Sequence, residues 1–227
     1  MRRIEDMLGK IINADCVDVM ANLPDKCVDL TLTDFPYARD VPYDGYADTE
    51  ESLKNLITRA MPQILRISKR ALITVGTHNI HLYPRPKWIL NWTVPAGAAY
   101  VEWGFSCWQP VLAYGNDPYL EKRLGARPDT LVLADTAKKN GHPCPKPENV
   151  WRWFLLRGSV DPNDIVFDPF MGSGTTAVVA KETGRRWAGV ELSARYCTIA
   201  EKRLNSTTMM MREIVASVVQ QTQPAMI

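Results

Sequence analysis

Residues 164–176 read DIVFDPFMGSGTT, and this stretch decides which fold the chain can adopt. The apolar residues 165–167 predict a short buried strand, because they form a continuous hydrophobic run bounded by aspartates. A glycine-containing turn comes next, and residues 175–183 predict the helix that follows it. A strand that leads through a glycine turn into a helix is the first half of a Rossmann-like nucleotide site.

The second half of that site lies a few residues further along the chain. Residues 186–190 predict another strand, which ends on Glu191 about twenty residues after the glycine turn. Gly172 and Gly174 would let the backbone approach a ligand closely, and the start of the helix offers free N–H groups. The Glu191 carboxylate can accept hydrogen bonds from both hydroxyls of a ribose. A glycine turn is common on its own, but this joint order of elements indicates a cofactor site.

The spacing of the glycines leaves the identity of the cofactor open. Residues 172–177 read GSGTTA, which satisfies the looser dinucleotide pattern G-x-G-x-x-G/A. A dinucleotide such as NAD is therefore compatible with the pattern alone.

The rest of the hydrophobic pattern alternates between strands and helices. Strands are predicted at 10–13, 28–33, 71–75 and 111–114, and helices at 16–23, 50–67, 151–156 and 194–204. Strands that alternate with helices form parallel sheets covered on both faces, so we expect an α/β fold with a mostly parallel twisted sheet between helices. We expect one domain over residues 1–227, with a small target-recognition insert at about 116–141.

The composition limits the class of function. The chain has 227 residues, of which 46% are hydrophobic and 23% charged, and its formal net charge is +2. This charge is compatible with nucleic-acid binding but does not require it. The five cysteines form no CxxC pair, so neither a disulfide framework nor a metal site is expected. No signal sequence or bilayer-spanning run is found, which predicts a cytoplasmic, nucleoid-associated protein of prokaryotic or phage type with no membrane partner.

A second chemically informative segment follows the strand at 28–33. Asp34-Phe35-Pro36-Tyr37 resembles the D/N/S-P-P-Y/F tetrapeptide of DNA amino-methyltransferases. The exocyclic amine of adenine or cytosine is a poor nucleophile, because its lone pair is conjugated with the ring. Asp34 and the carbonyl of Phe35 would accept hydrogen bonds from the amine and turn its lone pair toward the methyl donor. Pro36 would fix the local φ and Tyr37 would stack on the base, which must be flipped out of the duplex.

Three further segments resemble the same family. Residues 168–176 resemble its S-adenosylmethionine loop, D-P-F-x-G-S-G-T-T, which favours this cofactor over a dinucleotide. Residues 142–147, HPCPKP, resemble the H-P-x-x-K-P segment that lines the cofactor pocket. Asp15 matches a strand-end aspartate near the cofactor adenine, although Ala14 replaces the usual glycine. The cofactor-binding residues that the resemblance implies are Asp15, Lys146, Pro147, Asp168, Pro169, Phe170, Gly172, Ser173, Gly174, Thr175 and Glu191.

The order of these segments resembles the permuted β-type group of DNA amino-methyltransferases, over residues 11–204. The resemblance implies an S-adenosylmethionine-dependent enzyme whose partner is double-stranded DNA. Phe35 departs from the family pattern, which usually has proline there. Because this residue offers mainly its carbonyl, we expect activity to survive, whereas base preference or pocket shape could change.

Several reactions remain open or are disfavoured. Asp34 favours adenine N6 as the target, because cytosine-N4 enzymes more often carry serine there. Cytosine N4, an amine of RNA or protein, and a catalytically inactive nucleic-acid-binding homologue are the alternatives. Cytosine C5 methylation needs a thiolate, which Cys144 offers, but Cys144 lies in the cofactor-side segment and not at the end of the acceptor strand.

Residues that read DNA are less visible. Candidate phosphate contacts, each equally suited to a solvated loop, are Arg85, Lys87, Arg123, Arg127, Lys138 and Lys139. Four tryptophans would either frame a base pocket or belong to the core: Trp88, Trp92, Trp103 and Trp108. The insert at about 116–141 is short for a recognition region, which predicts a brief target sequence or a homodimer whose second subunit helps.

Overall fold

A computed structural model describes residues 3–95, 97, 99–101 and 103–222, with the backbone alone at 99–100 and 209–222. Its centre is an eight-stranded sheet. In sheet order the strands are β1 (Ile11–Asn13), β12 (Arg186–Glu191), β11 (Ile165–Asp168), β2 (Val28–Asp34), β5 (Ser68–Thr74), β9 (Trp108–Tyr114), β6 (Trp88–Thr93) and β10 (Thr130–Val132). Two hairpins lie outside this sheet, β3 (Pro42–Tyr43) with β4 (Tyr46–Ala47), and β7 (Ala99–Val101) with β8 (Gly104–Ser106).

The helices connect these strands and cover the sheet. They are α1 (Cys16–Ala21), α2 (Glu50–Ile67), α3 (Pro118–Glu121), α4 (Glu148–Gly158), α5 (Thr175–Glu182) and α6 (Ala194–Thr222), with 3-10 helices at Ile4–Met7 and Thr77–Leu82. Among the described residues, none of these helices combines the length and the apolar character needed to cross a membrane.

The sheet is parallel except at one strand. Every neighbouring pair runs in parallel apart from β9, which is antiparallel to both β5 and β6. The chain passes from β11 through α5 to β12 on one side, and from β2 through α2 to β5 on the other. The strand order therefore reverses between β11 and β2, and open α/β sheets bind ligands at the carboxyl ends of strands at such a point.

Two hydrophobic cores lie on opposite faces of the sheet, because successive strand residues point to opposite sides. Phe167 and Ala188 belong to the core that includes α1 and α2. Val166 and Trp187 belong to the other core, against α4, α5 and α6. The predicted α/β arrangement, with a mostly parallel sheet between helices, is thus confirmed.

Helix α2 has the predicted bounds, and its N-terminal cap and its apolar face explain them. Thr49 accepts a hydrogen bond from the Ser52 amide at 3.2 Å, which caps the first turn. Leu53, Ile57 and Ile64 are buried on one face at helical spacing. The opposite face of the first half of the helix is polar and does not belong to the core.

Several segments differ from their predicted form: α6 continues to Thr222 instead of ending at 204, and β6 forms where no strand was predicted. Residues 38–48, for which no strand or helix was predicted, contain the β3–β4 hairpin. Segment 116–141 contains α3 and β10, and β10 pairs in parallel with β6 at the edge of the main sheet. Helix α4 begins three residues earlier than predicted, because Pro147 can precede a helix without losing a backbone hydrogen bond.

Candidate active site

The sheet brings the predicted acidic residues to one edge. Asp34, Asp168 and Glu191 are the last residues of β2, β11 and β12, which are adjacent and parallel. Asp15 follows β1, whose Asn13 pairs with Glu191. Residues that are far apart in the chain therefore meet at the carboxyl edge, beside the point where the strand order reverses.

A cavity of about 460 Å³ opens at this edge. Eleven of the predicted site residues line it, namely Asp15, Asp34, Pro36, Lys146, Asp168, Pro169, Phe170, Gly172, Ser173, Thr175 and Glu191. The other four, which are Phe35, Tyr37, Pro147 and Gly174, are not part of the cavity wall. The structure thus places the acceptor tetrapeptide and the glycine turn at a single cavity.

The carboxyl group of Asp168 connects the glycine turn to neighbouring elements through hydrogen bonds. Its Oδ1 accepts hydrogen bonds from the Thr33 hydroxyl at 2.5 Å and from the Phe170 amide at 3.0 Å. Its Oδ2 accepts from the Thr176 hydroxyl at 2.5 Å. The carboxyl group therefore joins β11 to β2 and to the first turn of α5. Burial raises the pKa of Asp168 to about 6.

The two glycines of the turn are required for different reasons. Gly172 and Gly174 have φ values of +52° and +83°, in the left-handed region that favours glycine. A Cβ on Gly172 would lie 3.0 Å from Nε2 of His142. A Cβ on Gly174 would lie 2.8 Å from the Cβ of Ala200 in α6. The expected close approach to a ligand fits Gly172, which lines the cavity, whereas Gly174 is explained by its φ and by helix packing.

Glu191 holds the turn from the neighbouring strand. Its Oε2 accepts from the Gly172 amide at 2.7 Å, and its Oε1 accepts from the Ser193 amide at 2.9 Å. Burial raises the pKa of this carboxyl group above its usual value. Each carboxylate oxygen has a second lone pair, so both can still accept a hydroxyl from a ligand.

Arg203 in α6 supports the same turn, and the sequence analysis did not identify it. Its Nη1 donates to the Ser173 carbonyl at 2.6 Å and contacts the Thr175 hydroxyl at 3.2 Å. Its Nη2 forms an ion pair with Glu148 at 2.7 Å. A single arginine in a long amphipathic helix carries no sequence signal, because its partners lie about thirty and fifty-five residues away in the chain.

Asp34 is the most heavily bonded group on the acceptor side. Its Oδ1 accepts from the Tyr37 hydroxyl at 2.6 Å and also from the Thr74 hydroxyl. Its Oδ2 forms an ion pair with Lys146 Nζ at 2.7 Å. Lys146 and Asp34 are only 16% and 18% exposed, so water screens this pair weakly. The carboxylate is therefore held in a fixed orientation.

Tyr37 is tied into this network and does not face an open pocket. Its hydroxyl also contacts Lys146 Nζ at 3.3 Å and the side-chain amide of Gln109. The Lys146 ammonium lies 4.7 Å from the centre of the Tyr37 ring. Burial and the Asp34 carboxylate raise the pKa of the Tyr37 phenol well above its usual value, so it remains a neutral donor.

Phe35, the departure from the family pattern, is a core residue. It is 1% exposed and makes edge-to-face contacts with Tyr83 at 5.3 Å and with Phe170 at 4.6 Å between ring centres. Phe170 belongs to the glycine turn, so the ring packs the acceptor segment directly against the cofactor-side segment. A proline could not fill this space.

The H-P-x-x-K-P segment supplies groups to both sides of the cavity. Lys146 reaches Asp34, while its carbonyl accepts from the Thr175 hydroxyl at 3.4 Å. Pro147 precedes α4 as its N-terminal cap. His142 packs on Tyr196, with ring centres 4.5 Å apart. Burial lowers the pKa of His142 to about 4, so the ring is neutral, and its Nδ1 accepts from the Cys144 amide at 3.2 Å.

Two surfaces of the cavity were missed by the sequence analysis. One is the polar face of α2, where the lining residues include Ser52, Asn55 and Arg59. The other is the β3–β4 hairpin, where Asp44 accepts from the Ser193 hydroxyl at 2.5 Å. The hairpin sequence resembles a plain turn, and only its docking on α6 brings it to the cavity.

The four tryptophans considered from sequence do not line this cavity. Trp92 is buried and donates to the Leu133 carbonyl at 2.9 Å. Trp88 is 62% exposed at the amino end of β6, which is the opposite edge of the sheet. Trp103 and Trp108 are exposed at the carboxyl edge, in and beside the β7–β8 hairpin.

The parallel sheet, the glycine turn and the acidic strand ends define a Rossmann-like methyltransferase fold. Two solved structures share it: the PvuII DNA methyltransferase (cytosine-N4-specific), at a TM-score of 0.67 and 14% identity over 91% of this chain and 92% of that one; and M1.HpyAVI in complex with SAM, at a TM-score of 0.60 and 24% identity over 86% and 98%. At these identities the likeness concerns the fold.

Sequence relatives define the family more closely. One family model matches residues 103–202. It is the model for N6 and N4 methyltransferases and is described as DNA methylase. The chain is 30% identical over 226 residues to "Putative methylase YubD" of Escherichia coli (strain K12). The matched region covers 92% of this chain and 96% of that protein. It is 27% identical over 250 residues to the type II methyltransferase M.HinfI of Haemophilus influenzae. That match covers 88% of this chain and 69% of the relative. The chain belongs to the DNA methylase family of N6/N4 amino-methyltransferases.

Proposed function

We propose that this protein transfers a methyl group from S-adenosylmethionine to N6 of an adenine flipped out of double-stranded DNA. The observation that carries the proposal is the position of Asp34 in the same cavity as the glycine turn and Glu191. A methyl acceptor and a methyl donor must meet within one site, because direct displacement depends on positioning the two reacting atoms. Adjacent, parallel β2 and β11 supply this proximity.

The charge of the cavity suits the proposed cofactor. Among the described residues, six carboxyl groups line it against one arginine and one lysine, namely Asp15, Asp34, Asp44, Glu51, Asp168 and Glu191 against Arg59 and Lys146. S-adenosylmethionine supplies the methyl group on a sulfonium and carries net positive charge at neutral pH. A wall with excess carboxylate favours such a ligand over the pyrophosphate of a dinucleotide.

The proposed residue roles follow from the contacts. Glu191 accepts the ribose hydroxyls, while Gly172 and Ser173 lie against the cofactor in the cavity wall before α5. Asp34 Oδ2 accepts one hydrogen bond from the base amine, and the family resemblance assigns the second to the Phe35 carbonyl, which precedes Pro36 in the cavity wall. The nitrogen–methyl bond forms from the amine lone pair as the sulfur–methyl bond breaks, and the proton released from nitrogen passes along the hydrogen bond to Asp34 and then to water.

Adenine is preferred to cytosine because of Asp34. Cytosine-N4 members of the family more often carry serine at this position, and Asp34 is oriented here by Tyr37, Thr74 and Lys146. The cytosine-N4 specificity printed for the PvuII enzyme belongs to a protein 14% identical to this chain. Cytosine N4 is the second candidate because it requires the same geometry.

Double-stranded DNA would lie along the carboxyl edge of the sheet. The β7–β8 hairpin connects β6 to β9 at this edge, and Gln109 in β9 contacts the Tyr37 hydroxyl. The hairpin and segment 116–141 are the proposed recognition surfaces. A second copy of the chain would enlarge that surface, and sedimentation of the protein with and without a DNA duplex tests the proposed homodimer.

Long-read methylation sequencing of DNA from cells that express the protein tests the activity and the base together. We expect methylated adenine in one short motif, and methylated cytosine N4 would replace the adenine assignment. Folded protein with no modified base in DNA, but with methylated RNA or protein, would favour the RNA or protein alternative. Folded protein that binds cofactor and modifies nothing would identify an inactive homologue.

The variant Asp34→Ala tests the proposed role of Asp34 as the acceptor of hydrogen bonds from the base amine. We expect it to lower methyl transfer at least about a hundredfold, because the amine loses its oriented acceptor. Calorimetry should show S-adenosylhomocysteine binding within about fivefold of the wild type, since Asp34 holds the acceptor and not the ribose. A large loss of cofactor affinity would contradict this assignment of roles.

A further inference from the structure

Lys146 binds the one carboxylate oxygen of Asp34 that the proposed base amine can use. Oδ1 of Asp34 already accepts two hydroxyls, from Tyr37 and Thr74, so Oδ2 is the oxygen available for a base. Lys146 Nζ lies 2.7 Å from that oxygen and is mostly shielded from solvent. An ammonium has three donors and no acceptor, so it resembles the amine in how it binds a carboxylate.

An ammonium that stayed there would oppose methyl transfer. The amine nitrogen gains positive charge as the new bond forms, and a second positive charge in contact with the same carboxylate oxygen opposes this change. Lys146 must therefore leave Oδ2 before or while the base enters. Its backbone is fixed at the start of α4 and by Thr175, so only the long side chain can move.

The proposed cofactor brings an anion into this cavity, the carboxylate of its amino-acid end. In the described part of the wall, Arg59 lies 3.1 Å from Asp15 at the α1 end, and Lys146 lies at the acceptor end. Lys146 thus has two alternative partners of the same chemistry, a protein carboxylate before the cofactor binds and a ligand carboxylate afterwards.

We propose that Lys146 is a positioning residue that couples the two substrates: it covers Asp34 in the free enzyme and transfers to the carboxylate of the cofactor, which uncovers Asp34 for the base. The inference rests on the proposed cofactor and acceptor sites. It requires that a ligand with the amino-acid carboxylate increase the affinity for target DNA, and that a ligand without it have no such effect.

Binding measurements with two ligands test the coupling. S-adenosylhomocysteine carries the carboxylate, whereas 5′-methylthioadenosine keeps the nucleoside and thioether but lacks the amino-acid end. We expect S-adenosylhomocysteine to raise the affinity of the wild type for its methylation motif about tenfold, and 5′-methylthioadenosine to leave it unchanged. In Lys146→Met, DNA binding should be tight without cofactor, and the increase should fall below about twofold.

Lys202→Met is the matched control, because it removes the same charge from an exposed position in α6. This variant should retain the full increase. The same increase in Lys146→Met as in the wild type, or no increase in the wild type, would overturn the inference.

Asp34→Asn provides an independent test that does not change Lys146. A neutral amide holds the ammonium more weakly than a carboxylate does. We therefore expect S-adenosylhomocysteine to bind Asp34→Asn about threefold more tightly than the wild type, with 5′-methylthioadenosine unchanged. Equal S-adenosylhomocysteine affinity in the two proteins would refute the exchange, even if Lys146→Met failed to fold.

The proposed function and this inference fail in different ways. Wild-type protein that binds neither adenosyl ligand contradicts the proposed cofactor site. Wild-type protein that binds both ligands and methylates DNA, but shows no carboxylate-dependent increase in DNA affinity, contradicts only the role of Lys146.

Discussion

Phe35 joins the two halves of the site through its side chain. The ring packs between Tyr83 and Phe170, so the acceptor segment and the glycine turn share one apolar contact. In a close-packed interior such a contact fixes the separation of the two segments. The residue that looked like an imperfect match in the sequence is therefore part of what sets the geometry of the cavity.

Phe35→Ala should lower the free energy of unfolding by about 3–5 kcal/mol, because it removes a fully buried aromatic ring and leaves a cavity. Guanidinium denaturation measures this change. Leu120→Ala, at a side chain that is 58% exposed, should shift the stability by less than about 0.5 kcal/mol. Equal stabilities for the two variants would show that the Phe35 ring is not packed as described.

The raised pKa of Asp168 predicts that the stability of the protein depends on pH. Burial raises the pKa of Asp168 to about 6, above the ordinary value of 3.8, so the folded protein binds its proton more tightly than the unfolded chain does. This contribution to stability is fully present below pH 3.8 and is lost as the pH rises through about 6. The loss is on the order of 3 kcal/mol.

Asp168→Asn isolates this effect from other carboxyl groups. The amide cannot titrate, so the stability of the wild type relative to the variant should fall between pH 4 and pH 7. Urea denaturation at several pH values measures this difference. A difference that stays constant, or rises with pH, would mean that the carboxyl group is ionised in the folded protein throughout the range.

The turn between β11 and α5 depends on its contact with another helix. Gly174→Ala places a methyl group 2.8 Å from Ala200 and also strains a residue with φ of +83°. Gly184 has a similar φ of +73° and open space around it. These two glycines therefore separate the cost of backbone strain from the cost of displacing α6.

Gly184→Ala should cost about 1 kcal/mol, from its positive φ alone. Gly174→Ala should cost a further 1–3 kcal/mol for overpacking, and it should weaken S-adenosylhomocysteine binding because the turn lines the cofactor side. Thermal denaturation and calorimetry measure the two effects. Equal costs in the two variants would mean that α6 does not press on the turn.

The orientation of the whole sheet determines which surface faces DNA. Trp103 is 100% exposed at the turn of the β7–β8 hairpin, on the edge that carries Asp34. Trp88 is 62% exposed on the opposite edge. Exposed aromatic rings near a site that extracts a base can stack on the duplex.

Trp103→Ala should weaken binding to target DNA about tenfold and leave S-adenosylhomocysteine affinity unchanged, because the hairpin lies outside the cofactor cavity. Trp88→Ala should alter neither affinity. Fluorescence anisotropy with a labelled duplex measures DNA binding. A larger loss of DNA affinity in Trp88→Ala would place the duplex on the opposite edge.

Much of this architecture was predictable from the order of residues along the chain. The pattern of apolar residues is local, and it predicted the strands at both halves of the site and helix α2 with its observed bounds. It failed at two kinds of short strand. The strands of the β3–β4 hairpin have two residues each, too few to show an alternating pattern, and β10 pairs with β6, which lies far away in the chain. A strand this short forms only when a partner strand provides its hydrogen bonds, which a local pattern does not show.

The segment DIVFDPFMGSGTT and the tetrapeptide Asp34-Phe35-Pro36-Tyr37 determined the fold class and the family, because strand periodicity, glycine turns and reactive residue types are properties of neighbouring residues. Tertiary structure decided the rest. It brought Lys146 onto Asp34, Arg203 onto the glycine turn and the ring of Phe35 into the core. Those contacts depend on which strands are adjacent and which helix faces meet, and the free energy that selects them comes from burial across the whole sheet.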